Sequence, residues 1–324
     1  MMTLYVKKDD SLQRALFSKN GVIPEETVWI DLLDLSKEEE LAVEKFLGIN
    51  VPSREEMHEI EVSSRLYQKG NAVFMTAVLV VKSEILDPET HVVTFIIVGN
   101  RLVTIRYVET TPFHNFTTGV EKLPVIRQSA NSLLIGLLDC IIDHIADILE
   151  SVGIDVDVLG RRIFHRKKQI STEKPDYQDV LERVGCTDDL ASKIHESLVT
   201  LSRMVSYVAQ SQLVETEGGS YVRLSTLAKD ITALSDHVSF ISNKIHFLLD
   251  ATLGMINIEQ TNIIKILSVA AVVFLPPTLI ASYYGMNFVI MPELKWHYGY
   301  PMAVCLMFFS SWLPYKYFKR KKWF

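Results

Sequence analysis

Cysteine is scarce in this chain, and acidic residues nearly vanish from its C-terminal end. Cys140, Cys186 and Cys305 are the only cysteines among 324 residues, and no two form a CxxC pair. That usage fits a reducing compartment and argues against a structural zinc site. The chain also lacks a G-x-x-x-x-G-K-[ST] phosphate loop, a nucleophile elbow, a metal-hydrolase motif and a dinucleotide loop. An enzyme is therefore not expected, and no organic cofactor is implied. The first ten residues, Met1 to Asp10, hold no apolar core of the signal-peptide kind, so the N-terminus is expected in the cytosol.

Charge divides the chain. Residues 263–324 hold 7 of the 33 Lys+Arg and one of the 39 Asp+Glu, Glu293, for a net +6. Residues 1–262 hold the other 26 and 38, for a net −12. An acidic body repels a phosphate backbone, so nucleic acid is not an expected partner.

Two long uncharged runs lie in the basic part. Ile266–Tyr284 is 19 residues long and Tyr298–Tyr315 is 18. At about 1.5 Å per residue the first spans roughly 28 Å, close to a bilayer's hydrocarbon core of about 30 Å. Lys316, Lys319, Arg320, Lys321 and Lys322 follow the second run, whereas the loop between the runs carries only Glu293 and Lys295. The positive-inside rule then puts both termini in the cytosol and the loop 285–297 outside, which implies the cell's inner (plasma) membrane. Neither run contains Asp, Glu, Arg or His. Proton-coupled carriers usually keep such a group at membrane depth, so a passive pore is the expectation. Two helices enclose no aqueous path, so several copies would have to share one axis.

The body mixes periods. Thr27–Leu33, Ala72–Lys82, His91–Val98 and Arg101–Val108 read as strands, with a tight hairpin at Gly99-Asn100. Ser36…Glu39 and Ser53…Glu56 fit capping boxes. Helical periodicity starts at Ser129 and resumes over Gln178–Gln210. From Leu224 through Leu227, Ile231, Leu234, Val238, Ile241 and Ile245 to Leu248, apolar residues recur in steps of 3 and 4, and no proline interrupts Tyr221 to Leu275. The expected fold class is α+β: a cytosolic α/β domain over 1–125, then a helical region over 126–262 whose stalk helix (about 221–262) continues into the membrane. Two transmembrane helices over 263–318 and a basic end over 319–324 complete it.

The stretch Tyr284-Gly285-Met286-Asn287-Phe288 closes the first run. Pro276-Pro277-Thr278 precedes it, Met291-Pro292-Glu293-Leu294 follows, and Ile256-Asn257-Ile258-Glu259-Gln260 and Val28-Trp29-Ile30-Asp31-Leu32 stand further upstream. Together these resemble the CorA family of divalent-cation transporters. The resemblance implies a homopentamer, with a funnel of long helices and the first span of each copy lining the pore. It further implies an outer selectivity ring at Gly285, Met286 and Asn287, and Mg²⁺ both transported and bound between cytosolic domains as a regulator. Thr278, Leu275, Leu267 and Ile264 match pore positions, and helical spacing puts them, with Ala271, roughly on the face of Asn287.

Mg²⁺ gives up water reluctantly, so a ring of neutral oxygens that hydrogen-bonds the hydrated ion suits it. Asn287 offers such an oxygen; it would equally serve as a helix C-cap. Gly285 lets the chain turn, and Met286 packs that turn. The leucines and Ile264 would make apolar constrictions that gate by dewetting. Glu293 either concentrates cations at the mouth or packs the loop. Asp230, Asp236 and Asp250 are candidates for regulatory metal, or are solvated helix-face carboxylates. The five basic residues from Lys316 to Lys322 form a collar around the inner pore, or mark topology and meet lipid headgroups. A divalent ion entering a negative interior gains about 4.6 kcal/mol per 100 mV, which supports roughly thousandfold accumulation with no other energy source. Alternatives on the same scaffold are Co²⁺, Ni²⁺ or Zn²⁺ transport. Zinc would favour His, Cys or carboxylate ligands; Asp143-His144 with Asp147, and His297, are the only suggestive groups. A membrane-anchored interaction module is a further alternative.

Overall fold

The computed structural model describes residues 1–8, 11–17, 21–82, 88–120, 129–164, 176–211, 219–286, 291, 296–321 and 323. These fall into two compact units, Met1–Leu249 and Asp250–Phe324.

The first unit is built on a seven-stranded sheet: β1 (Met2–Lys8), β2 (Ser11–Leu16), β3 (Thr27–Leu33), β4 (Leu66–Lys69), β5 (Ala72–Lys82), β6 (Glu89–Val98) and β7 (Arg101–Arg106). The spatial order is β2-β1-β3-β7-β6-β5-β4, antiparallel throughout except for β3 against β7. The expected hairpin joins β6 to β7: Val98 pairs with Arg101, and Gly99 takes φ 56°, the left-handed value a two-residue loop needs there. Helices α1 (Lys37–Leu47) and α2 (Arg54–Met57) start at the two capping boxes, each closed in both directions by serine and glutamate. A short α3 (Val62–Arg65) follows.

Both faces of the central strands are covered, which is why β3 is buried along almost its whole length. On one face Leu4, Ile30, Leu32, Phe74, Ile96 and Val103 form a core with Val43 of α1. On the other, Trp29 stacks on Tyr5 at 4.2 Å and meets Phe116 edge-on at 5.6 Å. Phe116 belongs to α4 (Thr111–Val120), a helix the sequence pattern did not announce. Helix α5 (Ala130–Phe164) passes close over that ring: a Cβ on Gly136 would stand 3.0 Å from the Phe116 ring.

Between these layers lies a buried polar chain. Arg106 donates through Nε and Nη2 to the two Asp31 carboxylate oxygens at 3.1 and 2.8 Å. The Thr104 hydroxyl donates to Asp31 at 2.7 Å and accepts from Trp29 Nε1 at 3.0 Å. Both charged side chains are about 95% buried. The Arg106 guanidinium also lies over Phe113 at 4.6 Å.

Helix α6 (Tyr177–Gln210) packs on β5, where the Val78 amide donates to the Thr200 hydroxyl at 3.0 Å. Helix α7 (Gly219–Tyr284) runs through Pro276 and Pro277. Within the first unit its 3-and-4 stripe is buried at every position except Leu234, which is half-buried. Gly153 and Gly160 of α5 face Ile241 and Leu248, Phe164 stacks on Phe247 at 5.9 Å, and Arg223–Asp139 and Lys244–Asp157 form ion pairs between the two helices.

Removing one partner of the buried pair strands the other charge. Asp31→Ala is expected to destabilise the chain by about 3–5 kcal/mol, and Asp31→Ala with Arg106→Met to recover most of that loss. Thermal unfolding of the purified single and double variants checks both.

Candidate ion-conducting segment

The second unit is a helical pair: α7 from Asp250 to Tyr284, and α8 (Gly299–Arg320). Prolines set its geometry. Pro277 has no N–H, so the carbonyl four residues back, Val273, loses its helical donor. The Ser311 hydroxyl of α8 donates to that carbonyl at 3.0 Å. Thr278 turns its hydroxyl back onto Leu275 and Phe274 carbonyls at 2.8 and 3.1 Å.

The Ser311 bond fixes which side of α7 meets α8. Val269, on that side, is 1% exposed, and Val273, Pro276, Pro277 and Ile280 are half-buried. Ile264, Leu267, Ala271, Leu275 and Thr278 are all exposed. At about 100° per residue they lie between roughly 160° and 240° around the helix from Val269. The structure thus brings the expected pore residues to one uncovered strip, opposite the side that holds α8.

The strip leads to Gly285. Its amide donates to the Ala281 carbonyl at 2.9 Å, so the chain is still helical there. Gly285 does not use the left-handed conformation, which Gly48, Gly70 and Gly99 do. What it avoids is crowding: a Cβ would sit 3.1 Å from the Ala281 carbonyl oxygen. Met286 is exposed. Asn287 and Glu293 lie outside the described residues, as does Lys322.

Among the described helices, α7 alone is long and apolar enough to cross a membrane by length and composition. The expected second run coincides with α8, where Tyr300, Trp312, Tyr315, Pro314 and two serines dilute the apolar character. Lys316, Lys319, Arg320 and Lys321 are exposed at its end. The Lys316 ammonium lies over Trp312 at 4.6 Å and that of Lys319 over Tyr315 at 5.9 Å.

Asp230, Asp236 and Asp250 are exposed along α7. Among the described residues no three His, Cys, Asp or Glu side chains are placed to hold a metal ion. Asp230 does have acidic company that pattern reading missed. Burial pushes the Asp139 carboxyl up, the Arg223 guanidinium opposes this, and Asp143 and Asp230 push it further up. The available signal was the four-residue spacing of Asp139 and Asp143, which puts both on one face of α5. His144 is half-buried, and burial holds it below the ordinary histidine range against the pull of Asp147.

Residues 24–320 match the family described as CorA-like Mg2+ transporter protein. The chain belongs to the CorA family. The magnesium transport protein CorA of Escherichia coli is 34% identical over 300 residues, covering 91% of this chain and 92% of that one. Among solved structures, the complete CorA magnesium transporter from Methanocaldococcus jannaschii superposes with a TM-score of 0.79 at 20% identity, over 100% of this chain and 99% of that one. The ZntB cytoplasmic domain from Vibrio parahaemolyticus gives 0.58 at 11% identity, over 79% of this chain and 97% of that one. At these identities the two structures report a shared fold. CorA proteins are membrane transporters of divalent cations, not enzymes, and the family matched here is one of Mg²⁺ transporters.

Ser311→Ala leaves the Val273 carbonyl without a donor in an apolar setting and is expected to cost about 1 kcal/mol. Pro277→Ala restores the backbone N–H, so the serine change should cost little in that background. Thermal unfolding of the four-member cycle in micelles reads the coupling.

Proposed function

We propose that this chain is a passive Mg²⁺ channel that works as a homopentamer. The observation that carries the reading is the uncovered strip of α7, Ile264–Leu267–Ala271–Leu275–Thr278, which ends at Gly285 opposite the side bound to α8. Five such strips facing one axis would line a path, with α8 outside as the second membrane span. The hydrated ion would be selected by neutral oxygens at Gly285, Met286 and Asn287. Glu293 would raise the local cation concentration, and apolar rings at Leu275, Leu267 and Ile264 would close the path by dewetting.

The division into a cytosolic domain (1–125), a helical region (126–262), two spans (263–318) and a cytosolic basic end (319–324) belongs to this reading. So do an inner-membrane location, the outer loop 285–297, and passage of Co²⁺ or Ni²⁺, whose hydrated ions look alike to an outer-shell filter. Regulation by cytosolic Mg²⁺ would use Asp230, Asp236 or Asp250 between neighbouring copies.

The test is Mg²⁺ uptake into proteoliposomes under a fixed inside-negative potential. Asn287→Ala is expected to lower flux by at least tenfold and to blur discrimination among Mg²⁺, Co²⁺, Ni²⁺ and Zn²⁺; full flux and selectivity in the variant would overturn the filter assignment. Leu267→Ser is expected to wet the constriction, so that flux persists several-fold above wild type at high internal Mg²⁺ in the same assay.

A further inference from the structure

Thr3 is only 3% exposed, yet its hydroxyl has no hydrogen-bond partner among the described residues. A buried hydroxyl left unpaired costs free energy. This one lines a cavity of about 510 Å³ in the first unit. Thr3 pairs with Asp31 across β1 and β3, and Tyr5 with Arg14 across β1 and β2, so strand alternation brings all four side chains to one face of the sheet. Helix α4 closes the other side with His114, Thr117 and Thr118. The volume is that of a cleft for a small organic ligand and exceeds what an inorganic ion needs.

The two walls differ in what they can still offer. On the sheet side the unspent groups are donors. Arg14 is exposed, and its guanidinium has no carboxylate partner among the described residues. Arg106 directs Nε and Nη2 at Asp31 and Nη1 at the Val108 carbonyl and Glu109, which leaves one Nη2 hydrogen without an acceptor. Asp31 already accepts three hydrogen bonds, from Thr104 and twice from Arg106. On the α4 side the unspent groups are acceptors. Thr117 and Thr118 donate their hydroxyl hydrogens to the His114 and Asn115 carbonyls at 2.9 and 2.8 Å, so they can only accept from a molecule in the cavity. Glu109, about half exposed and 3.3 Å from Arg106 Nη1, adds carboxylate oxygens at the rim.

We propose that this cavity binds a hydroxylated organic anion, a sugar acid or a sugar phosphate, with its oxyanion on Arg14 and Thr3 and its hydroxyls donating to Thr117, Thr118 and Glu109. A guanidinium fork fits carboxylate and phosphate alike, so the shared chemistry is an oxyanion carried on a hydroxylated carbon chain. Glu109 repels an oxyanion set beside it, which fixes the direction in which the ligand lies. The site is confined to the first unit and is independent of the transport reading.

The experiment is calorimetric titration of the purified full-length chain in neutral detergent, in Mg²⁺-free buffer so that chelation by the probes plays no part. Gluconate, glucose 6-phosphate, glucose and inorganic phosphate are the probes. Gluconate or glucose 6-phosphate is expected to bind with a Kd below about 1 mM, and the tighter of the two names the oxyanion. Glucose lacks the charge and inorganic phosphate lacks the hydroxyls, so each should bind at least about tenfold more weakly. Arg14→Gln changes an exposed side chain on an edge strand, and Thr3→Val keeps the side-chain shape. The first should weaken binding about tenfold or more and the second several-fold. Lys69→Gln, on the opposite edge strand β4, should bind as the wild type does. Hydrogen exchange with the bound anion should slow in Thr111–Val120 and Ser11–Leu16. Four results would each overturn the site: no binding of either anion, glucose or phosphate binding as tightly as the better anion, full binding by either site variant or an equal loss in Lys69→Gln, and exchange slowed only elsewhere in the chain.

Discussion

The second unit depends on one carbonyl. In a bilayer a backbone oxygen without a donor has no water to turn to, so a helix tolerates proline there only where something else supplies a hydrogen. Pro277 orphans the Val273 carbonyl, and Ser311 satisfies it across the helix pair. That bond fixes the register of α8 on α7 and selects the side of α7 that is covered. By elimination it also selects the side that is not. The uncovered strip follows from it.

The first unit has a comparable constraint in Asp31 and Arg106. These residues tie β3 to β7, the only parallel strand pair among the described residues, with a buried bond from one strand to the other. A buried ion pair adds little net stability, but its two parallel N–H···O bonds admit one alignment. Thr104 and Trp29 extend the requirement to the aromatic cluster under α4.

How far this could be read from sequence varied with the source of each signal. Runs of β-branched residues gave Thr27–Leu33 and Ala72–Lys82 with their observed bounds, and both capping boxes were legible because they are local. Strands β1 and β2 carry Lys7, Lys8 and Arg14 on a short edge hairpin, where alternation is weak. Helix α4 carries four threonine or glycine positions of low helix propensity and is held by Phe113 and Phe116 instead. In the second unit the uncharged run of α7 was plain, but the use of Ser311 was not. A serine in an apolar stretch means nothing until tertiary register puts it four residues behind a proline on another helix.

Helix α7 also shows why a stripe must be read with its surroundings. From Leu224 to Leu248 its apolar residues recur in steps of 3 and 4 and are buried within the chain at every position but the half-buried Leu234, so that stripe is satisfied. Beyond Asp250 the residues from Ile264 to Thr278 keep similar steps, yet α8 covers the opposite side and leaves them exposed. An apolar face uncovered in a segment fit to cross a membrane is stable against lipid as well as against protein, so apolarity alone does not choose between them. Nor does Thr278 choose: its hydroxyl is already donated to the Leu275 and Phe274 carbonyls of its own helix, so it is tolerated against lipid as well as against a hydrated cation.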